Sequence, residues 1–361
     1  MSSSPDIRSI ARKVETGLRL TPEDAITLLS SNDLLAIGRI ADEAARRRNG
    51  GRAYFVRNRH INPTNICVHR CTFCSYRRGL FDDDGYALSL EQVEAKARDA
   101  GPDVLEFHVV GGLHPNLPFD YYLDVLRRLK RVRPGVHLKA FTAVEVDFFS
   151  KISRLPLDEV LRQLKDAGLD SMPGGGAEIF APAVREKICG EKIGGDRWIE
   201  VIETAHRLGI PSNATMLYGH LESNADRVDH LLKLRDLQDR TGGLLAFIPL
   251  AYHPENNRLG LARHTSGLDD LRVLAVSRLF LDNVPHIKAY WVMLGEKMAQ
   301  VALRFGADDI DGTVVEEKIY HAAGARSAQE IPISRLIHLI RSAGRIPVER
   351  DTLYNEIRVW N

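Results

Sequence analysis

The sequence predicts an α/β protein: a TIM-type (β/α)8 barrel with an N-terminal helical extension and a short C-terminal helical tail. Three observations predict it. From Tyr54 onward, short apolar runs alternate with stretches whose apolar residues recur at helical spacing, the pattern of a parallel sheet with crossover helices. Before residue 52 the spacing is helical throughout. The segments rich in cysteine, glycine and histidine follow the ends of the apolar runs, where barrels of this kind place their chemistry. The expected division is residues 1–51 as the extension, 52–322 as the barrel and 323–361 as a tail packed on it.

In the extension, Thr21-Pro22-Glu23-Asp24 reads as an N-cap, a proline at the first helical position and acids in the first turn. Leu34 to Arg48 reads as a second helix that stops at Asn49-Gly50-Gly51. The strand expectations are Tyr54–Ile61, Val104–Val110, His137–Ala143, Asp170–Met172, Ser212–Tyr218, Leu244–Ala251, His286–Trp291 and Asp309–Val314. Helices are expected at Leu90–Ala100, Tyr121–Val132, Leu157–Ala167, Arg197–Leu208, Ala225–Arg240, Leu268–Asp282 and Glu296–Phe305. The tail offers one more, Ile333–Ala343, followed by Arg345–Arg350 with no metal-like signal.

Lys and Arg number 49 against 48 Asp and Glu, so the chain is almost neutral. That balance gives no long-range pull toward nucleic acid or an anionic membrane, and it favours a small-molecule substrate. The first residues lack a basic and an apolar segment, so no signal peptide is expected; no apolar run is long enough to span a bilayer. Few cysteines fit a reducing, cytoplasmic location.

Three of the four cysteines lie in Cys67-Val68-His69-Arg70-Cys71-Thr72-Phe73-Cys74, directly after the first strand. Soft, closely spaced thiolates in this number wrap one inorganic centre and cannot form a disulfide framework. Structural zinc asks for four protein ligands, commonly in two pairs, and a second pair is missing. A [4Fe–4S] cluster bound by three cysteines keeps one iron open for a non-protein ligand. A zinc-stabilised binding protein is the non-enzymatic alternative. Cys189 stands far from the triplet and reads as a buried spectator.

The other strand ends supply further candidates. Gly111-Gly112 lets the backbone approach a ligand, and His114 follows it. Glu145, after the third strand, is a candidate catalytic carboxylate or a structural partner of a basic group. Gly174-Gly175-Gly176 lacks the Lys-Ser/Thr of a P-loop, and Glu178 beyond it fits either ribose hydroxyls or a helix start. Asn213 and His220 interrupt the apolar fifth strand, His220 as a candidate catalytic group and Asn213 as a substrate contact. Tyr252 and His253, after the sixth strand, are further substrate candidates. Arg77, Arg78, His114 and His253 are the cations available for substrate carboxylates.

The C-x3-C-x2-C motif, with Phe73 before its last cysteine and Tyr76 two residues after it, resembles the radical S-adenosylmethionine superfamily. The resemblance implies that Cys67, Cys71 and Cys74 bind a [4Fe–4S] cluster whose open iron chelates S-adenosylmethionine, which one electron then splits to give a 5′-deoxyadenosyl radical. It implies that Tyr76 touches the adenine and that Gly111-Gly112 holds the methionine amino group. Reduced flavodoxin or ferredoxin is the implied electron donor. The strings His60–Asn65, Val110–Pro115 and Pro173–Glu178 resemble a narrower clade, the menaquinone futalosine-pathway and deazaflavin synthase enzymes. Within it, Ala214–His220, Phe247–Pro254 and Gly306–Thr313 look most like the aminodeoxyfutalosine synthases. That branch implies addition of the radical to the vinyl carbon of 3-[(1-carboxyvinyl)oxy]benzoate, aryl transfer, loss of a carboxylate and formation of 6-amino-6-deoxyfutalosine. The sister cyclic dehypoxanthinylfutalosine synthases and the deazaflavin-forming subunits are the alternatives.

Overall fold

The computed structural model describes residues 6–360. Ten strands are formed: β1 (Arg52–Val56), β2 (Asn58–Ile61), β3 (Glu106–Val109), β4 (His137–Ala140), β5 (Ser212–Tyr218), β6 (Leu244–Ala251), β7 (His286–Ile287), β8 (Asp309–Gly312), β9 (Ile346–Arg350) and β10 (Glu356–Val359). β2-β3-β4 and β5-β6-β7 form two parallel sheets, and β10-β9-β1-β8 a third in which only β9–β10 is antiparallel. Single bridges join these sheets in order: Lys139 to Ser171, Met172 to Ser212, Lys288 to Asp309 and Val315 back to Arg59. The fold is α/β, with helices in every connection from β2 to β9.

Several elements differ from those expected. The first expected strand breaks at Arg57 because its two halves serve different neighbours: β1 pairs with β8 and β9, whereas β2 pairs with β3. The third stops at Ala140, and Ala143–Ser153 is a helix instead of a strand end. Thr142 caps it and Glu145 closes a reciprocal capping box. The tail is not purely helical. After the helix Ile333–Ser342 it returns as β9, which lies parallel to β1, and then β10. Prolines are rare inside sheets, yet Pro347 pairs in register with Ala53.

The N-terminal helices form as expected. Thr21 makes a capping box with Asp24, and the helix Leu34–Asn49 ends at left-handed Gly50. Its apolar face packs on the helix Gly267–Phe280. Apolar side chains such as Phe55, Phe107, Leu138, Phe247 and Ile287 are fully buried. The interior also holds charge. Lys139 Nζ lies 2.7 Å from Glu106 Oε2, Thr352 Oγ1 donates to the same oxygen, and Arg350 Nε meets Asp309 Oδ2 at 2.7 Å. Burial of such groups is tolerated only where each has a charged or hydrogen-bonding partner.

Candidate active site

The parallel strands β2 to β8 and the segments that follow them send residues into one cavity of about 260 Å³. The Cys67–Cys74 loop follows β2, Gly111-Gly112 follows β3, Thr142 and Glu145 follow β4, and Gly174–Gly176 with Glu178 follow the Ser171-Met172 bridge. Asn213 and Thr215 come from β5, Ile248 and Leu250 from β6, Tyr290 from beyond β7, and Asp311, Glu317 and Tyr320 from β8 and the loop after it. Convergence of so many strand ends is the arrangement in which barrels assemble catalytic groups.

Cys67, Cys71 and Cys74 all line this cavity and none is in a disulfide. Their loop is held by backbone bonds from outside it. Cys67 N donates to Arg78 O at 3.0 Å, Val68 N to Leu113 O at 3.0 Å, and Thr72 N to Ile188 O at 2.9 Å. Burial pushes the Cys71 thiol up to about 12. A metal centre there must therefore displace protons on binding. The fourth cysteine, Cys189, ends the helix Pro182–Cys189, is buried and lies outside the cavity lining.

Lys192, for which the sequence carried no motif, also reaches the cavity. Its Nζ lies 2.5 Å from Glu178 Oε1 and over the Phe73 ring. Burial works against its charge, but the Cys71 sulfur and Glu178 outweigh this and hold its pKa well above the ordinary lysine value. It is a fixed cation beside three thiols. A second overlooked residue, Arg185, is buried and donates to the Ala177, Ile179 and Ile193 carbonyls, propping the turn that presents Glu178. Thr215 Oγ1 bonds Gly174 O at 2.7 Å and Trp198 Nε1 bonds Gly175 O at 3.2 Å, so the glycine segment is fixed before any ligand arrives. A Cβ at Gly174 would come within 2.6 Å of the Ala214 backbone, which explains why a side chain is excluded there.

Gly111 and Gly112 do more than make room. Gly111 N donates to Glu145 Oε1 at 3.0 Å, and Gly112 N donates to Thr64 O at 2.8 Å. A methyl group on Gly112 would overlap the carbonyl oxygen of Ile66, the residue before Cys67. Gly112→Ala is therefore expected to displace the cysteine loop itself. Less than half of the wild-type iron uptake on anaerobic reconstitution is the expected reading, and full uptake would show that the loop tolerates the shift.

Glu145 lines the cavity, but its oxygens are committed. Besides Gly111 N, it accepts from Thr142 N at 2.7 Å and Thr142 Oγ1 at 2.8 Å. Burial raises it to about 7 despite those donors. Tyr76 also lines the cavity and its hydroxyl lies 2.6 Å from that of Tyr86. Asn213 is buried and lines the same cavity.

Four expected site residues do not reach the cavity lining. His114 turns back on its own loop, where Nδ1 accepts from Asn116 N at 3.1 Å. His220 is packed between Leu217 O and Glu222, 3.1 Å away, and burial lowers its pKa. Tyr252 donates to Asn257 Oδ1 at 2.9 Å and braces the loop after β6. His253 bonds Met293 O. Of the expected cations, Arg77 lines the cavity, while Arg78 is taken by Asp84 at 2.6 Å. Spacing alone does not tell whether a polar residue at a strand end points along its loop or into the cavity.

Glu317 was legible but overlooked. It follows β8 as Glu145 follows β4, and it lines the cavity while accepting from Ile319 N and Tyr320 N. On the same wall His60 and His108 stack with centroids 4.6 Å apart. Burial, reinforced by neighbouring positive groups, drives His108 well below the usual histidine range.

The donor set fits an iron–sulfur cube. Three soft thiols open on one cavity, and a fourth thiol is absent from its lining among the described residues. Known proteins agree. Residues 61–234 match the Radical SAM superfamily and residues 241–360 the CofH/MqnC C-terminal region. Aminodeoxyfutalosine synthase of Thermus thermophilus is 49% identical over 362 residues, covering 99% of this chain and 97% of that one. The Streptomyces coelicolor protein of the same name is 45% identical over 366 residues, covering 98% and 94%. A 5-amino-6-(D-ribitylamino)uracil–L-tyrosine 4-hydroxyphenyl transferase of Methanopyrus kandleri is 40% identical over 371 residues and all of both chains. The crystal structure of methylornithine synthase superposes with a TM-score of 0.74 at 18% identity, covering 94% of this chain and 97% of that one.

Proposed function

This chain belongs to the radical S-adenosylmethionine superfamily, and we propose that it joins the deoxyadenosyl carbon of S-adenosylmethionine to 3-[(1-carboxyvinyl)oxy]benzoate. The product is 6-amino-6-deoxyfutalosine, with methionine and one carboxylate released. The single observation that carries this reading is the 49% identity, over almost the entire length of both chains, to a protein of that name. The chain is an enzyme of a family that works with a [4Fe–4S] cluster and S-adenosylmethionine.

In this reading the eight strand segments linked by the bridges form a closed (β/α)8 barrel. The helices up to residue 51 are an extension, 52–322 the barrel, and the rest a tail that braces β1. Cys67, Cys71 and Cys74 hold the cluster, which when bound supplies the electron that splits S-adenosylmethionine. Gly174–Gly176 and Gly111-Gly112 give that ligand backbone surface, Tyr76 takes its adenine and Glu178 its ribose. Lys192 and Arg77 are the cations placed to receive carboxylates, replacing the four expected from sequence except for Arg77. Asn213, His60 and the Tyr290–Tyr320 wall, whose rings meet edge to face at 5.5 Å, shape the acceptor's end and keep water from the reacting carbon. Reduced flavodoxin or ferredoxin supplies the electron. No helix among the described residues is long and apolar enough to cross a membrane, which is compatible with a cytoplasmic enzyme.

Anaerobic incubation with S-adenosylmethionine, a reductant and the enolpyruvyl benzoate tests the reading: a product with adenosine covalently attached is expected. Turnover instead of 5-amino-6-(D-ribitylamino)uracil with L-tyrosine would favour the second reading, which the 40% full-length identity to the Methanopyrus transferase supports. Within the first reading, Lys192→Met is expected to lower kcat/KM by about 10- to 100-fold, the loss of one charge-assisted hydrogen bond worth roughly 1.5–3 kcal/mol. A change of less than about threefold would remove Lys192 from ligand binding.

A further inference from the structure

The loop after β6 carries a group of side chains that the cavity does not use. His253 Nε2 lies 3.2 Å from Met293 O. A carbonyl only accepts, so Nε2 holds the hydrogen and Nδ1 keeps its lone pair. That Nδ1 is buried without a hydrogen-bond partner. Glu255 Oε1 lies 2.8 Å from His264 Nε2, while Glu255 Oε2 is also buried and unpartnered. Buried lone pairs left without a donor are costly, and two in one small cluster are unusual. One ligand atom from each of His253, Glu255 and His264 falls within 4.8 Å of the others.

We propose that His253, Glu255 and His264 form a binding site for a divalent transition ion of the zinc class, separate from the cysteine loop. Two imidazoles and a carboxylate suit zinc, and three protein ligands leave one position for water. The Met293 carbonyl plays the part that outer hydrogen bonds play at such sites, fixing the tautomer that presents Nδ1. His264, half exposed, gives the ion its way in, and its ring already stands edge to face with His253 at 5.8 Å. Binding costs the His264 to Glu255 contact and any proton on the imidazoles, and it satisfies both orphaned atoms.

The ion's structural consequence follows from what the same loop touches. Ser75 Oγ donates to Glu255 O at 3.0 Å, Arg258 N to Thr72 O at 2.7 Å, and an Arg258 guanidinium nitrogen to Arg70 O at 2.7 Å. A metal joining residues 253, 255 and 264 thus cross-links the segment that grips the cysteine loop from outside.

The test uses reconstituted protein with its cysteines occupied by iron. After equilibration with zinc chloride and removal of free metal on a weak chelating resin, elemental analysis counts zinc and iron on the same sample. A single zinc per chain is expected in the wild type, falling to near zero in His264→Ala and in His253→Gln, with iron unchanged. The triple variant Cys67→Ala/Cys71→Ala/Cys74→Ala should still retain that zinc while holding no iron. Absence of retained zinc from the wild type overturns the proposal, as does zinc that survives His264→Ala. Zinc lost only from the triple variant assigns it to the cysteines and overturns it too. Because iron is counted separately, failure of the cluster assignment is read independently.

Discussion

Cys71→Ala is expected to give a folded chain that takes up less than about one iron where the wild type takes up about four, and that forms no product. The sulfur is one of three protein ligands, and two cannot hold a cube against exchange with solvent thiols and chelators. The fold should survive, because the loop is anchored by backbone groups of Cys67, Val68 and Thr72, not by the thiol. Cys189→Ala is the control. That thiol is equally buried and carries the same chemistry, but it sits behind the loop at a helix end. Its loss should leave iron content and the visible absorption of the cluster intact. Equal iron loss in both variants would show that the ligand set is wrong, and full iron in Cys71→Ala would remove the cluster from this loop.

The contrast between those cysteines was legible before any coordinates, because ligand spacing is a local property and survives translation from sequence to space. The same holds for the alternation of strands and helices, which follows from two different hydrophobic periods. Side-chain direction was not legible. His220, Tyr252 and His253 were placed at the correct strand ends, yet each side chain is captured by a partner in its own or a neighbouring loop: Leu217 O, Asn257 and Met293 O. Lys192 failed for the opposite reason. It lies in a connection between two helices, and only the packing of that connection against Glu178 and Phe73 brings its ammonium to the thiols. The helix Ala143–Ser153 was a misreading of a signal that was present, since Thr142-x-x-Glu145 is a capping box in the sequence itself. The strand β9 was hidden by Pro347 and by its partner, β1, almost three hundred residues earlier.

Asp308→Ala is expected to destabilise the chain by roughly 3–5 kcal/mol without altering activity per folded molecule, because it strands buried charge far from the chemistry. The carboxylate sits at the start of β8, at the opposite end of the strand from the cavity, and gathers four donors. Arg278 and the Asn49 amide bond it closely, His286 Nδ1 lies at 2.6 Å, and Ile287 N donates at 2.8 Å. It thereby joins the last turn of an N-terminal helix, the helix Gly267–Phe280, β7 and β8 at one point. Arg278 is buried, so deleting its counter-charge leaves a guanidinium with only the Gly306 and Pro285 carbonyls. Burial by itself would raise the Asp308 pKa, but Arg278 and His286 outweigh it and hold the carboxyl below its ordinary value. A depressed carboxylate contributes stability above its unfolded pKa and loses it as pH falls through the lower folded one. The wild type should therefore lose stability toward acid more steeply than Asp308→Ala, whose stability is already low at neutral pH. Urea unfolding from pH 7 down to about pH 2, through and below the ordinary aspartate pKa of about 3.9, measures both effects. A midpoint within error of wild type, or parallel acid slopes in the two proteins, would show that this junction carries little of the fold's stability.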